Sequence, residues 1–170
     1  MQRSGLDLQL LSKSKLMDYL RRLEIIDADM LGEPWGQAQW LMDLPGKWEL
    51  SWILLREAQP IGFLIASRKE SAHHIHRLAV AANERSQGWG GVLMSVAARQ
   101  ALKQECLNIT LKVHQANTGA IAFYTRLGFT TSGRQPPPPH DSLEMMGQSR
   151  VIIDLTQSFR LPTAPQQIKK

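Results

Sequence analysis

Three glycines stand within four residues of one another near the middle of the chain, at Gly88, Gly90 and Gly91. An apolar strand-like run ends before them at Val80, and apolar residues recur at helical spacing from Trp89 onward. Three glycines at the start of a helix cost roughly 2–3 kcal/mol relative to alanine, so their presence needs a reason. One reason is a ligand that the backbone approaches closely. The other is tight packing of the helix on its strand.

The glycine segment has the features of an anion site. At a helix N-terminus the backbone N–H groups are unpaired, and the helix dipole adds partial positive charge. A phosphate is therefore the expected ligand, and a charged guanidinium precedes the glycines. The expected binding residues are Arg85, Ser86, Gln87, Gly88, Trp89, Gly90 and Gly91.

Two other phosphate-binding loops do not fit this segment. The P-loop pattern needs a lysine after its last glycine, and Val92 follows Gly91 here. The dinucleotide fingerprint needs a glycine three residues after Gly90, where Leu93 stands. The segment alone therefore does not say which phosphate compound binds.

Periodicity along the chain predicts the element order β-α-α-β-β-β-α-β-α-β-β. The predicted helices cover residues 16–26, 36–44, 89–101 and 118–127, with Ser12 or Ser14 as the first cap. The predicted strands cover residues 5–10, 48–56, 61–67, 74–80, 108–113, 129–132 and either 142–146 or 151–155. Three strands joined by tight turns predict an antiparallel half, and the strand–helix–strand over 74–113 predicts one parallel crossover. The expected fold class is α/β, with one mixed sheet and helices on both faces.

Composition excludes several classes of protein. The 170 residues suit one ordinary domain, and 43% hydrophobic with 21% charged residues excludes a disordered or collagen-like chain. No apolar run reaches the roughly 18 residues of a membrane span, and no signal-peptide pattern opens the chain, so we expect a cytoplasmic protein without a membrane partner. Cys106 is the single cysteine, which excludes an internal disulfide and argues against a cysteine-based metal site.

The net charge is +5, from 20 Lys and Arg against 15 Asp and Glu. This sign suits nucleic acid, a membrane surface or a phosphate-bearing small ligand. No run of Lys or Arg exceeds two residues, so nucleic acid is not an expected partner.

A second motif follows the glycine segment by about twenty residues and contains Asn117, Ala120, Phe123, Tyr124, Gly128 and Phe129. Together with Arg85-x-x-Gly88-x-Gly90, it resembles the GCN5-related N-acetyltransferase (GNAT) family. The loop of that family reads Arg/Gln-x-x-Gly-x-Gly/Ala, and its later helix reads Asn-x-x-Ala-x-x-Phe-Tyr-x-x-x-Gly-Phe. The motifs cover residues 74–129, the element order extends the resemblance over 5–147, and no subfamily is identified.

The resemblance implies one GNAT-type acyltransferase domain over residues 1–147, with 148–170 as either the last strand or a flexible basic tail. Its mostly antiparallel sheet would be splayed between the fourth and fifth strands. The implied co-substrate is acetyl-CoA or another acyl-CoA, without a metal, lying in the resulting wedge.

Site residues carry over from the family position by position. The backbone of Leu78, Ala79 and Val80 would bind the pantetheine arm like a neighbouring strand, and the Val80 amide is the candidate oxyanion donor. The side chain of Asn117 would hold the pantetheine, and the Tyr124 hydroxyl would protonate the departing thiolate. Two structural alternatives stand beside these roles: Asn117 as a helix N-cap and Tyr124 as a core aromatic.

The general base is the least determined part of the predicted site. His74 stands where histone-acetylating relatives carry a glutamate, and a histidine has an ordinary pKa near neutrality. His76 lies on the same predicted face, and water is a third candidate. Glu84, within the loop, is expected to be solvated.

The expected reaction is direct attack of a primary amine on the thioester in a ternary complex. Cys106 lies at the end of the third predicted helix, away from the thioester, which argues against a covalent intermediate. A longer acyl donor, a peptide or protein N-terminal acceptor and an idle acyl-CoA-binding module remain alternatives. We expect a monomer or homodimer. Trp35 and Trp40 are candidates for an apolar acceptor wall or for the core, and the stiff Pro136–Pro139 segment is expected beside the acceptor.

Overall fold

Seven strands form one mixed sheet in the order β1-β2-β3-β4-β5-β7-β6. The computed structural model describes residues 5–132 and 141–158. The strands are β1 Leu6–Leu10, β2 Trp52–Arg56, β3 Gln59–Lys69, β4 Ala72–Val80, β5 Asn108–His114, β6 Thr130–Thr131 and β7 Ser142–Gln148. The helices are α1 Lys13–Ala28, α2 Gln37–Leu41, α3 Lys47–Leu50, α4 Trp89–Lys103, α5 Thr118–Arg126 and α6 Ser149–Leu155.

The parallel pair β4–β5 is the point where the sheet opens. All other neighbouring strands pair antiparallel. β4 and β5 pair only from His73 opposite Ile109 to Ile75 opposite Leu111, although both strands continue beyond that point. The mixed α/β class, the mostly antiparallel sheet and the splay between the fourth and fifth strands are thereby confirmed.

Side chains of alternate parity supply two hydrophobic cores, one on each face of the sheet. In β3, Leu64 and Ala66 join the core that packs against α4, α5 and α6. Phe63 and Ile65 point the other way, into the core formed with α1 and α2. Helices on both faces were predicted, and the two cores explain why β3 reads as a continuous apolar run.

The predicted strand over 48–56 is wrong in its first half, because Lys47–Leu50 form the short helix α3. Gly46 adopts a left-handed conformation with φ of 71°, which turns the chain into this helix. The buried ammonium of Lys47 donates to the carbonyls of Trp40 at 2.6 Å and Met42 at 2.9 Å. Two bonds to the end of α2 hold this turn in place of a strand.

Of the two alternatives for the last strand, 142–146 is confirmed as part of β7, and 151–155 is wrong because it lies in α6. Ile152 and Ile153 sit side by side in the core, which a helix allows and an alternating strand does not. The Ser149 hydroxyl donates to the Cys106 carbonyl at 3.0 Å and anchors the start of α6. Pro136–Pro139 and the end of the chain from 159 lie outside the described residues.

None of the helices in the described part of the chain combines the length and apolar character needed to cross a membrane.

Candidate active site

One cavity of about 1110 Å³ occupies the wedge between β4 and β5. Strand β4 lines it from Ile75 to Val80, and β5 lines it from Leu111 to His114. The start of α4, one side of α5, the residues after α1 and the end of α6 form the rest of the wall. From the predicted set, the cavity brings together Leu78, Ala79, Val80, Arg85, Ser86, Gly88, Trp89, Gly90, Gly91, Asn117 and Tyr124. His74 and Gln87 are not among the lining residues.

The open edge of β4 presents backbone groups to this cavity. The Ala81 N–H donates to the Ile61 carbonyl in β3 at 2.8 Å, so the backbone of residue 81 faces β3. Because backbone polar groups alternate in direction along an antiparallel strand, those of Leu78 and Val80 face away from β3, into the wedge. An extended ligand there can pair with β4 where β5 no longer does.

Two residues give the loop its shape. Gly88, the N-cap of α4, has a left-handed φ of 87°, and Ser86 also lies in the left-handed region at 62°. The cost of the left-handed conformation is small for glycine, which explains Gly88. The amides that begin α4 thereby line the wall of the cavity, where the dipole of this 15-residue helix favours an anion.

Two reasons for glycine were considered above, close approach of a ligand and tight packing, and the structure shows which applies at Gly90. A Cβ atom on Gly90 would meet the ring of Phe123 at 3.1 Å, so glycine here lets α5 pack closely on α4. The tight-packing explanation therefore holds for Gly90, with the helix partner being α5. Gly90 and Phe123 both line the cavity, so their contact also sets its width.

Arg85 fastens the loop to its surroundings. Its Nε donates to the Val80 carbonyl at 3.0 Å, and its Nη2 donates to the Asp29 carbonyl at 3.4 Å. The guanidinium thus joins the end of β4 to the end of α1 while lining the cavity. Among the described residues, no carboxylate forms an ion pair with the Arg85 guanidinium.

Glu84 is buried, so the expectation that it is solvated was wrong. Its Oε1 accepts from Arg56 Nη1 at 2.7 Å, and Gln87 Nε2 donates to its Oε2 at 3.3 Å. Arg56 lies on β2, 28 residues earlier, and no local pattern indicated this partner. The Arg56 guanidinium thus balances the charge of an acid beside the loop. The bond from Gln87 directs its side chain toward Glu84.

Asn117 is the N-cap of α5, as the structural alternative predicted. Its Oδ1 accepts from the Ala120 amide at 3.1 Å. The cap does not exclude ligand binding, because Asn117 also lines the cavity and its NH₂ group is a separate donor. The cap holds the side chain in one orientation.

Tyr124 is a buried aromatic that also lines the cavity. Its ring packs at an edge against Phe123, with centroids 5.2 Å apart, and against Phe129 at 5.5 Å. Burial raises the pKa of the Tyr124 hydroxyl well above its ordinary value, so the group stays protonated.

The two histidines of β4 differ in their relation to the cavity. His74 is buried, and its Nδ1 lies 2.8 Å from Thr110 Oγ1 on β5. His76 lines the cavity, and its Nε2 lies 2.7 Å from Ser67 Oγ on β3. Their rings are in edge contact at 4.8 Å. Burial first, then cationic neighbours, lowers the pKa of His74 to about 4 and also lowers that of His76.

A buried ion pair holds the other wall of the cleft. Arg77 Nε donates to Asp27 Oδ1 at 2.6 Å, and Arg77 Nη2 donates to Oδ2 at 3.0 Å and to the Glu33 carbonyl at 2.8 Å. Asp27 Oδ2 also accepts from the Trp35 amide at 2.7 Å. These bonds fasten the connection after α1 to β4. Sequence reasoning missed the pair, because its members are 50 residues apart.

Trp35 and Trp40 do not line this cavity. Trp40 is fully buried, and its ring is in edge contact with Trp35 at 5.3 Å and with Phe63 at 5.2 Å. The core alternative is therefore the one that holds for Trp40. Met30 and Leu31 provide the apolar part of the wall beyond α1.

Known proteins resemble this chain in sequence and in fold. An uncharacterized N-acetyltransferase of Methanocaldococcus jannaschii is 29% identical over 100 residues, which is 49% of this chain and 44% of that protein. The match therefore spans less than half of that relative's length.

Two solved structures share the fold. The ribosomal-protein-S18-alanine N-acetyltransferase of Escherichia coli has a TM-score of 0.71 at 20% identity, over 84% of this chain and 93% of that one. The PaiA N-acetyltransferase of Thermoplasma acidophilum, solved in complex with coenzyme A, has a TM-score of 0.64 at 15% identity, over 84% and 98%. The family model of the acetyltransferase (GNAT) family matches residues 16–129. The chain therefore belongs to the GNAT acetyltransferase family.

Proposed function

We propose that this protein transfers an acetyl group from acetyl-CoA to a primary amine by direct attack of the amine on the thioester. The observation that carries the proposal is the wedge itself. It combines an open strand edge, a helix N-terminus and a protonated tyrosine around one cavity. The coenzyme A bound by a structural relative supports the choice of co-substrate.

The wedge offers each part of the co-substrate a matching surface. The backbone of Leu78 and Val80 pairs with the amides of the pantetheine arm, and the Asn117 NH₂ group donates to the same arm. The first amides of α4 bind the pyrophosphate, assisted by the charge of Arg85. The thioester then lies near Tyr124, between the open edges of β4 and β5.

His76 is better placed than His74 to act as the base. It lines the cavity, whereas His74 is packed against Thr110. With Nε2 protonated and donating to Ser67, the Nδ1 atom of His76 is the basic nitrogen left for a substrate ammonium. Because its pKa is lowered, His76 is neutral and ready to accept a proton at pH 7.

The reaction then follows from charge. The amine nitrogen, having lost a proton to His76, attacks the carbonyl carbon, and the Val80 amide donates to the oxygen as negative charge develops. The carbon–sulfur bond breaks, and the Tyr124 hydroxyl gives its proton to the departing thiolate. The nitrogen releases its remaining extra proton as the amide forms, and that proton restores the Tyr124 hydroxyl. The products are the acetylated amine and free coenzyme A.

The test is a panel of amines incubated with acetyl-CoA, following both free thiol and the mass of each amine. The panel holds amino acids, diamines, aminoglycosides and short peptides. We expect at least one class to release thiol and gain one acetyl group in equal amounts. Acetyl-CoA binding without acetylation of any amine would show instead a catalytically idle acyl-CoA-binding module.

Two variations of the proposal concern the substrates. Longer acyl groups are compared by repeating the assay with acyl-CoA donors of increasing chain length. Peptide acceptors have a specific precedent, since the E. coli structural relative acetylates an alanine of ribosomal protein S18. The peptide members of the panel test that alternative directly.

A further inference from the structure

The acceptor end of the cleft has two basic side chains on one face of the sheet, at the point where β4 and β5 separate. Thr110 and His74 are opposite each other in register, and their side chains are hydrogen-bonded, so they share a face. Lys112 follows Thr110 by two residues and therefore points to the same side. The ring contact between His76 and His74 places His76 there as well. Lys112 and His76 both line the cavity.

The other charged groups of the cavity wall are paired or lie on other elements, with Arg85 in the loop before α4 and Arg126 in the last turn of α5. Arg77 is paired with Asp27, and Glu84 with Arg56. Asp29 lies at the opposite end, where its carbonyl accepts from Arg85.

Lys112 differs from these groups. Within residues 5–132 and 141–158, no carboxylate lies within ion-pair distance of Lys112. Glu144 is its cross-strand neighbour on β7, and a Glu144 carboxylate oxygen lies 3.5 Å from the Ser132 hydroxyl instead.

A second lysine, Lys69, adds to the positive character of this end. The Lys112 and Lys69 ammonium groups both act on His74 and help to lower its pKa. His114, the next lining residue on the same side of β5, is 3.9 Å from Asp141, and both of these side chains are largely exposed. A polycationic acceptor would therefore meet repulsion at the place where its amine must lose a proton.

We infer that the acceptor is a primary amine with a carboxylate close to its amino group, and that Lys112 binds the carboxylate. This inference rests on the proposed function and names its substrate class. His76 takes the proton from the amine while Lys112, on the facing strand, holds the negative charge. The carboxylate is either that of a free amino acid or that of an acidic residue at the start of a peptide. The chemistry is the same in both cases.

The experiment compares matched acceptors and matched variants. Acceptors are paired with and without the negative charge: amino acids against their amides, and peptides beginning with aspartate against those beginning with asparagine. The enzyme is wild type, Lys112→Met, Lys112→Arg and, as a control outside the cavity, Lys103→Met. For wild type, we expect kcat/KM for the charged member of a pair to exceed that of its neutral partner by about tenfold or more.

Lys112→Met is expected to bring that ratio near one, chiefly by raising KM for the charged acceptor. Lys112→Arg and Lys103→Met are expected to keep it. The pair that shows the effect, amino acid or peptide, identifies the source of the carboxylate.

Two results would overturn the inference: an equal rate for charged and neutral acceptors in wild type, or an unchanged ratio in Lys112→Met. Either result leaves the proposed function intact, because amines are still acetylated. If no amine of any charge is acetylated while acetyl-CoA still binds, the proposed function fails and the inference fails with it.

Discussion

Single side chains in this site combine an observed packing role with a proposed chemical one, and Tyr124 shows this most clearly. It belongs to the core, and it also lines the cavity. Asn117 likewise caps α5 and lines the cavity. The structural and functional interpretations of these residues are therefore compatible. Packing is what fixes the orientation that the chemistry needs.

Tyr124→Phe separates the two roles of this residue. The change keeps the ring and deletes the hydroxyl, so packing and the affinity for acetyl-CoA should change little. We expect kcat to fall by about 100-fold, because a proton donor to the leaving thiolate is lost. The measurement is steady-state kinetics together with calorimetric binding of acetyl-CoA.

Tyr19→Phe is the matched control. It alters the other tyrosine of the chain, on α1 and outside the cavity, and should leave kcat unchanged. Full activity in Tyr124→Phe would assign Tyr124 to packing alone.

Among the elements, β4 has the most roles, because it pairs with β3, opens toward β5 and carries the three histidines His73, His74 and His76. His73 is fully buried, and neither of its ring nitrogens has a hydrogen-bond partner in the described part of the chain. Burial lowers the pKa of His73 to about 4. The same strand therefore contributes both the candidate base and an internal source of instability.

The pH dependence of stability follows from the lowered pKa. Between pH 6.5 and about 4 the unfolded chain binds a proton at His73 that the folded chain does not, so stability falls as the pH falls through this range. His73→Leu removes this linkage. We expect it to raise the free energy of unfolding by about 2 kcal/mol more at about pH 5 than at about pH 7.5, measured by urea denaturation. An equal gain in the free energy of unfolding at both pH values would contradict this role of His73. His74 makes a similar pH-dependent contribution in the wild type and in the variant.

At the level of elements, the sequence indicated most of the fold, since long apolar periodicities decide the position of strands and helices. It failed where long-range contacts decide. Lys47 joins α3 to the end of α2 by bonds to carbonyls that no pattern encodes. In α6, the neighbouring residues Ile152 and Ile153 are both buried, which fits a helix and not an alternating strand. The sequence alone does not show that both are buried.

The site was predicted less evenly than the fold. Motif spacing indicated residues that the structure brings together around one cavity, because these depend on one loop and one helix. The acceptor side depends on contacts between strands. The choice of His76 over His74 rests on which ring lines the cavity, and His74 is instead hydrogen-bonded to Thr110 of the next strand. The partners of Glu84 and Arg77 are also distant in sequence.

For the molecule as a whole, we propose that two substrates share the cleft. The acyl donor is expected along the β4 edge and at the starts of α4 and α5. The amine is expected beside His76 of β4 and Lys112 of β5, where these two strands separate. The last residue of α6, Leu155, also lines the cavity, as does Ser158 beyond the helix. On this proposal both substrates bind at the same time, and no acetylated form of the protein is an intermediate.

Cys106 fits this view, because it is buried in the connection to β5 and does not line the cavity. The most direct test mixes the protein with acetyl-CoA alone and then adds an amine that it accepts, following thiol release and the mass of the intact protein. For direct transfer we expect neither thiol release nor acetylated protein before the amine is added, and one thiol per acetylated amine afterwards. Rapid acetylation of the protein in the absence of amine, with the acetyl group later passing to the amine, would contradict direct transfer.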